Sequence, residues 1–392
     1  MSANIITGLI PIIYRALDTV PRELVGAIPA VRRWPSQVRV AKNQVVTFPI
    51  VPKLTANDIV PAAIAGPDAS GITVGNDSMS MSNVKSVDFP WTGEEAAGLD
   101  SGGLFAPVLQ DQFAQAFRTL ANAIESDLCS LAEYASRAYG DPTLVPFATA
   151  QDLSSLNFTK KILKDNGSPQ NDLHIILDTT SHATLQSVQT TVYKANERGN
   201  VQGLEEGTLA RLQGVNIHES AGIISHTAGT GTGYLVNYPS GSLTVGTTII
   251  PVDTGSNTIV VGDVVRFGQT TDACYQDQYI VATGLSSSSI VLAAPGLRKT
   301  VPNNAAITIV AAHSANFMLD RNAMVLISAL PNLPPGGDIA ADTKVVTDPI
   351  SGLQFEIAVY KQYMQNTWSV RAAWGTKLVK PDFVAKLIGK IE

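Results

Sequence analysis

FAPVLQDQFAQAFRTLANAIESDLCSLAEYASRAY, from Phe105 to Tyr139, is the stretch on which the fold turns. Leu109, Phe113, Phe117, Leu120, Ile124, Leu128, Leu131 and Ala135 follow one another at steps of 4, 4, 3, 4, 4, 3 and 4 residues. That spacing is one continuous apolar stripe along a helix. Pro107 suits the first turn, and Gly140-Asp141-Pro142 is a stop signal. A helix of about 32 residues would run roughly 48 Å. So long a helix spans a whole molecule, and the remaining elements must be arranged along it.

Upstream, SMSMSNVKSVDFPWTGEE (Ser78 to Glu95) alternates with period two. Met79 and Met81 share one face, as do Val87, Phe89 and Trp91, and Ser82-Asn83 reads as the turn of a β-hairpin. Residues 53–74 lack periodicity and read as loop. A long hairpin without a core of its own is only marginally stable, so it must lie on something, and another subunit is a candidate. SQVRVAKNQVVTFPIVP (Ser36 to Pro52) reads as extended chain, confined by Pro49 and Pro52 to an edge or an arm. Ile6, Ile10, Ile13 and Leu17 have helical spacing, for a short helix that ends near Pro21.

Downstream, residues 150–225 alternate helix and strand: LSSLNFTKKILKDN helical, LHIILD a strand, SHATLQSVQTTVYKAN a helix capped near Thr180 or Ser181, and LQGVNIHES a strand. From about residue 226 to about 312 the chain is Gly, Ser, Thr and β-branched residues, with turns every eight to twelve residues. This reads as a separate all-β module inserted in a mixed chain. A final β pair follows, with Phe355, Ile357 and Val359 answered by Val370, Ala372 and Trp374, and LVKPDFVAKLIG closes it.

The composition narrows the function. A chain of 392 residues suggests two or three domains. Net charge is −6, with a pI near 5.4. An acidic chain with scattered basic residues argues against tight nucleic-acid binding, which works by neutralising phosphates. Charged residues are only 15% of the total, as expected of a turn-rich β protein or of one extensively covered by neighbouring subunits. Cys129 and Cys274, with no CxxC, read as free thiols in a reducing compartment. The N-terminal run lacks a basic region and is broken by Pro11 and Arg15, which is unlike a signal peptide. No segment is long and apolar enough for a membrane span, so a soluble protein made in the cytoplasm is expected.

Several stretches resemble catalytic or metal motifs. Asp253-Thr254-Gly255, behind an apolar run, is how an aspartic protease presents its carboxylate. Such a site needs a second carboxylate sharing one proton. The only other candidate, Asp100-Ser101-Gly102, follows the polar EEAAGL. The alternative is a tight β-turn, for which these residue types are suited. His174, Asp178 and His182 would align as metal ligands on one helix, but a strand-to-helix break falls among them. GTGTG (229–233) lacks the context of a dinucleotide fingerprint, LDRN (319–322) stands without the other kinase motifs, and no G-x-S-x-G elbow occurs. No catalytic, cofactor-binding or metal-binding residues are assigned, and no cofactor is expected.

The order of elements resembles the major capsid proteins of tailed double-stranded DNA bacteriophages, of the Hong Kong 97 type. The inserted β module is similar to that of the P-twenty-two-like branch. ALDTVPRELVGAIPAV (16–31) resembles that branch's N-terminal arm, and VKSVDFPWTGEE (84–95) its extended-loop return strand. LARLQGVNIHES (209–220) and NFMLDRNAMVLI (316–327) resemble the segments bracketing its insertion, and WSVRAAWGTKLVKPDFVAKL (368–387) its C-terminal strands. The resemblance implies an α+β fold with an N-terminal arm at 1–52, an extended loop at 53–100 and a spine helix of the peripheral domain at 101–144. It further implies an axial domain at 145–225 and 318–350, an inserted barrel-like β domain at 226–317, and the C-terminal β part of the peripheral domain at 351–392. It implies a non-enzymatic virion subunit that assembles, in the host cytoplasm, with copies of itself as hexamers and pentamers into an icosahedral shell. Expected partners are a scaffolding protein, a portal and packaged DNA bound without sequence specificity, with no membrane. An acidic shell wall would keep packaged DNA from adhering. The alternatives are an aspartic protease using Asp253 and a tail or surface structural subunit.

Overall fold

The computed structural model describes residues 13–14, 25–50, 75–100, 105–188, 211–286, 288–348 and 351–391. Of the proposed N-terminal helix, Ile13 and Tyr14 are helical and Ile13 is buried; Ile6, Ile10, Leu17 and the loop at 53–74 lie outside the described residues.

The chain is α+β. A short helix, Ala27–Ala30, is followed by β1 (Arg32–Val40), β2 (Val45–Ile50), β3 (Gly75–Ser80) and β4 (Asn83–Thr92). Helix Gly93–Asp100 and the long helix Phe105–Ser130 come next, then β5 (Arg137–Gly140), helix Ser154–Asp165, β6 (Leu173–Leu177) and helix Thr179–Val188. β7 (Arg211–Leu212), β8 (Val215–Glu219) and β9 (Ser225–His226) lead into β10 (Leu235–Val236), β11 (Ser242–Leu243), β12 (Ile249–Asp253) and β13 (Val264–Phe267). β14 (Gln278–Ser286), β15 (Ser289–Leu292), β16 (Val301–Pro302) and β17 (Ile307–Ile309) complete the Gly/Ser/Thr-rich region. β18 (His313–Asp320), β19 (Met324–Pro331), β20 (Asp342–Thr347), β21 (Gln354–Gln362), β22 (Gln365–Leu378) and β23 (Val384–Gly389) end the fold.

The long helix carries the stripe its sequence promised. Leu109, Phe113, Phe117, Leu120, Ile124 and Leu128 are all buried. They pack on a six-stranded sheet ordered β1-β19-β22-β21-β20, with β4 on β22. Phe113 meets Phe89 and Trp368 edge-on at 5.2 and 5.6 Å, and Phe117 meets Phe355 at 5.1 Å. Polar clamps fix the register: Asp127 accepts from Asn83 and from the Trp374 indole, both at 2.7 Å, and Gln112 accepts from Trp91 at 2.6 Å. The helix is shorter than its sequence suggested. It ends at Ser130, passes through a 3-10 turn at Leu131–Tyr134, and gives way to β5, which pairs in parallel with β23 and antiparallel with β14. Pairing on both sides outweighs the helical pattern of residues 135–139.

The proposed hairpin between Met79–Met81 and Val87–Trp91 does not form. β3 pairs with β2, Val45 opposite Ser80 to Ile50 opposite Gly75, whereas β4 pairs along its whole length with β22. The alternation was read correctly, because Met79 and Met81 are buried against Val325, Ile327 and Ala373, while Val87, Phe89 and Trp91 pack on the core below the helix. Period two identifies a strand and its inward face but not its partner. Similarly, β23 does not close the β21–β22 pair. It inserts between β5 and β18 in the other large sheet, which runs β5-β23-β18-β6-β8-β7. Helices Ser154–Asp165 and Thr179–Val188 flank that sheet, and the cap of the second is Asp178, whose carboxylate accepts from Ser181 N at 2.6 Å, rather than Thr180 or Ser181.

The inserted module is a closed barrel with its own core of Val236, Ile250, Val252, Val265, Phe267, Tyr279, Val281, Ile290 and Leu292. Around it, β10 pairs with β12, β12 with β15, β15 with β14, β14 with β13, and β13 with β17. A Leu235–Ala306 bridge brings the last strand back to the first. Closure removes the exposed edges that an open sheet of this composition would present.

Candidate functional site

Three places hold the features that sequence alone put forward as functional. The first is the turn after β12. Thr254, not Gly255, has the positive φ of 59°. Gly255 is required for a different reason: a Cβ there would lie 2.2 Å from the Tyr234 ring. The Tyr234 hydroxyl in turn donates to Asn257 O at 2.6 Å. The Asp253 carboxylate is approached by the Thr254 hydroxyl at 3.4 Å, and no second carboxylate shares a proton with it among the described bonds. Asp100 ends a solvent-exposed helix of its own, and Ser101 and Gly102 lie outside the described residues. The motif is therefore a turn built around a buried tyrosine.

The second place is the histidine set. His174 stacks on His218, Nδ1 to Nε2 at 2.8 Å, and its Nε2 lies 2.8 Å from Asp172, which also pairs with Arg321. His182 instead pairs with Glu219 at 2.8 Å, and Asp178 is occupied as a helix cap. The strand-to-helix break thus sends His174, Asp178 and His182 to three separate partners. Among the described residues, no group of three or more His, Cys, Asp or Glu is placed to hold a metal ion. Burial pushes His218 down to about 4 and lowers His174 as well. Cys129 and Cys274 are both free and buried, and burial raises both thiols. A thiol held protonated in this way is a poor nucleophile.

The third place is the ribbon of β2 and β3. Among the described residues the two strands pair with each other and with no third strand. Their outer end leads into residues 51–74. Their base is anchored: Met79 and Met81 are buried on the β19–β22 face, and Lys377 bonds Asp77 and Ser78 O. Gly375 leaves room for this contact, since a Cβ there would stand 3.0 Å from Met81 Sδ. Toward the outer end the described positions Thr47, Pro49, Gly75 and Asn76 are exposed.

One determinant gave almost no sequence signal. Glu125, on the long helix, is 2% exposed. Its carboxylate accepts from the backbone N–H groups of Gly26, Ala27 and Ile28 at 2.8, 2.6 and 3.0 Å, and from the Ser220 hydroxyl at 2.7 Å. It satisfies the open N-terminus of helix Ala27–Ala30 and ties that segment to the long helix. Burial raises its pKa although four donors favour the charged form. Its hint in the sequence was only that a carboxylate adjoins the apolar stripe, beside Ile124.

No family model matches the chain, and no curated protein matches it. Among solved structures, one of Mycobacterium phage Che8 is 13% identical, with a TM-score of 0.47, over 95% of this chain and 90% of that one. The capsid structure of the cyanophage P-SCSP1u is 14% identical, with a TM-score of 0.46, over 90% and 86%. The capsid of a native GTA particle is 8% identical, with a TM-score of 0.45, over 94% and 91%. Similarity at this level carries neither activity nor partners across to this chain.

Proposed function

We propose that this chain is a shell-forming structural subunit, the major capsid protein of a tailed-phage-type particle, and that its function is assembly with copies of itself rather than catalysis. The β2–β3 ribbon carries the proposal. It is a two-stranded ribbon anchored only at its base, and a ribbon of that kind is marginal unless something covers it. A neighbouring subunit is the cover most consistent with a chain only 15% charged. The long helix locked to the six-stranded sheet supplies a rigid base from which the ribbon reaches out. The arrangement of arm, ribbon, long helix, α/β region and inserted barrel is also the one the sequence resemblance implies.

On this reading β2 to β3, residues 45–80, is the extended loop, and β4 belongs to the sheet under the long helix. The remaining divisions follow the two sheets rather than the sequence bounds: a peripheral domain of the long helix with β1, β4 and β19 to β22, an axial domain of β5, β6, β8, β18 and β23 with helices Ser154–Asp165 and Thr179–Val188, and the inserted barrel between β9 and β18. Hexamers and pentamers of an icosahedral shell, a scaffolding protein, a portal, and packaged DNA excluded from close contact by the acidic wall complete the proposal. Assembly takes place in the host cytoplasm.

The test is a pair of proteins, the full chain and a variant in which residues 48–76 are replaced by a short Gly-Ser link, which keeps Met79, Met81 and the Lys377 contacts on the body. Sedimentation should show large closed particles for the first. The second should be a folded monomer with unchanged melting of the body. A ribbon-less variant that still forms shells would overturn the assignment of the ribbon.

A further inference from the structure

The chain enters the inserted barrel through His226, the last residue of β9, and leaves it through His313, the first residue of β18. These two histidines are paired across the β9–β18 ladder, with ring centroids 5.2 Å apart. Both are buried, at 4% and 0% exposure. Around them lie Glu133 from the turn after the long helix, Asp263 from the barrel, and Lys386 from β23.

The bonding assigns each group a charge. His226 presents Nδ1 to Glu133 at 3.1 Å and Nε2 to Asp263 at 3.0 Å, so both nitrogens donate and the ring is cationic. Asp263 is fully committed, accepting also from Gly229 N at 2.9 Å and Val260 N at 2.7 Å. Lys386 is wholly buried and reaches Gly262 O at 3.1 Å. His313 donates from Nδ1 to Ala311 O at 2.9 Å, and its Nε2 is buried with no partner among the described residues. The site therefore holds two cations, two carboxylates and one neutral imidazole. A proton on His313 Nε2 would add a third cation with no carboxylate left to receive it.

We propose that this cluster is a proton-operated latch between the inserted barrel and the body, closed while His313 is neutral and loosened when His313 takes up a proton. Gly262 and Asp263 belong to the barrel, whereas Glu133, Lys386, His226 and His313 belong to the body, so parting the two sides admits water to the protonated His313 ring, and that hydration favours opening against the loss of the Asp263–His226 contact. A second seam would keep the barrel attached: β14 pairs with β5, Gln278 opposite Ala138 and Tyr279 opposite Arg137. The barrel would swing on that seam rather than unfold.

The direction follows from linkage. Burial, then the Lys386 charge, hold His313 at about 4, below its ordinary 6.5. The open form therefore binds more protons throughout that window, and acid favours opening from about pH 6.5 down to about pH 4. His226 is shifted the other way by its two carboxylates and favours closure as pH falls toward 6.5. Glu133 is lowered, chiefly by its bond to His226, and stays ionised through the window.

The measurement is hydrogen exchange of the purified full chain at pH 7.5 and pH 5, corrected for intrinsic rates. It compares segments 226–232 and 258–264 with segments 113–120 and 368–374, which contain no histidine, as internal controls. Protection at the latch should fall about tenfold or more at pH 5, recover at pH 7.5, and exceed any change in the controls. In His313→Gln, whose side chain cannot titrate, latch protection should not fall. Should that variant fail to fold, Lys386→Met decides: removing the adjacent cation should move the midpoint to higher pH. Unchanged wild-type protection, an acid loss retained in His313→Gln, or a midpoint unmoved in Lys386→Met would each overturn the latch.

Discussion

Glu125 and Gly255 behave oppositely to what their sequence surroundings suggest. Glu125 adjoins the apolar stripe beside Ile124 without any motif around it, yet it is a buried acceptor for three backbone N–H groups of the N-terminal segment. Glu125→Ala should lower stability by about 3 kcal/mol, since each orphaned buried donor costs roughly 1–3 kcal/mol. Denaturant titration will measure it, and release of residues 25–31 should appear as new protease sensitivity. Gly255 stands in a motif that looks catalytic, but its constraint is the Tyr234 ring. Asp253→Asn should leave melting and assembly unchanged, whereas Gly255→Val should overpack the barrel at a cost of about 1–3 kcal/mol or more. Calorimetry and an acid-pH proteolysis assay on the two variants together separate the turn from a catalytic dyad, because a dyad would make Asp253→Asn the more damaging change for activity.

At the scale of elements, legibility followed period and failed at partnership. The stripe from Leu109 to Leu128 and helix Ser154–Asp165 were readable because each buries one face at a fixed period, whereas the fully buried strand Leu173–Leu177 was readable as a short apolar run and the all-β module by its composition and turn spacing. The stripe continued through Leu131 and Ala135, but the α-helix ends at Ser130 and Arg137–Gly140 form β5, since β23 and β14 offered ladders on both sides. The partners of β3 and β4 were unreadable for the same reason: Met79, Met81, Phe89 and Trp91 announce an inward face, not which strand lies beside it. Barrel closure, the Asp178 cap and the His226–His313 juxtaposition depend on residues far apart in sequence. The helix–sheet contact is where element-scale energetics concentrate. Phe113→Ala, which removes the ring between Phe89 and Trp368, should cost about 3–5 kcal/mol by denaturant titration.

For the whole molecule, buried neutral histidines set the response to acid. His218 and His313 are both held down to about 4, and His174 is lowered, chiefly by burial. Each contributes stability that is complete above the unfolded value of 6.5 and is lost as pH falls toward the folded value. The melting temperature should therefore decline between pH 7 and pH 4.5, and His218→Gln should flatten part of that decline. At the same scale, a rigid body, a ribbon with no core of its own and few surface charges describe a molecule completed by its neighbours. Cryo-electron microscopy of the particles formed by the purified chain, alone or with a scaffolding protein, tests that claim most directly. The account predicts closed icosahedral shells in which residues 45–80 of each subunit lie across the next. Tubes, open sheets, or a persistent monomer under every assembly condition would contradict it.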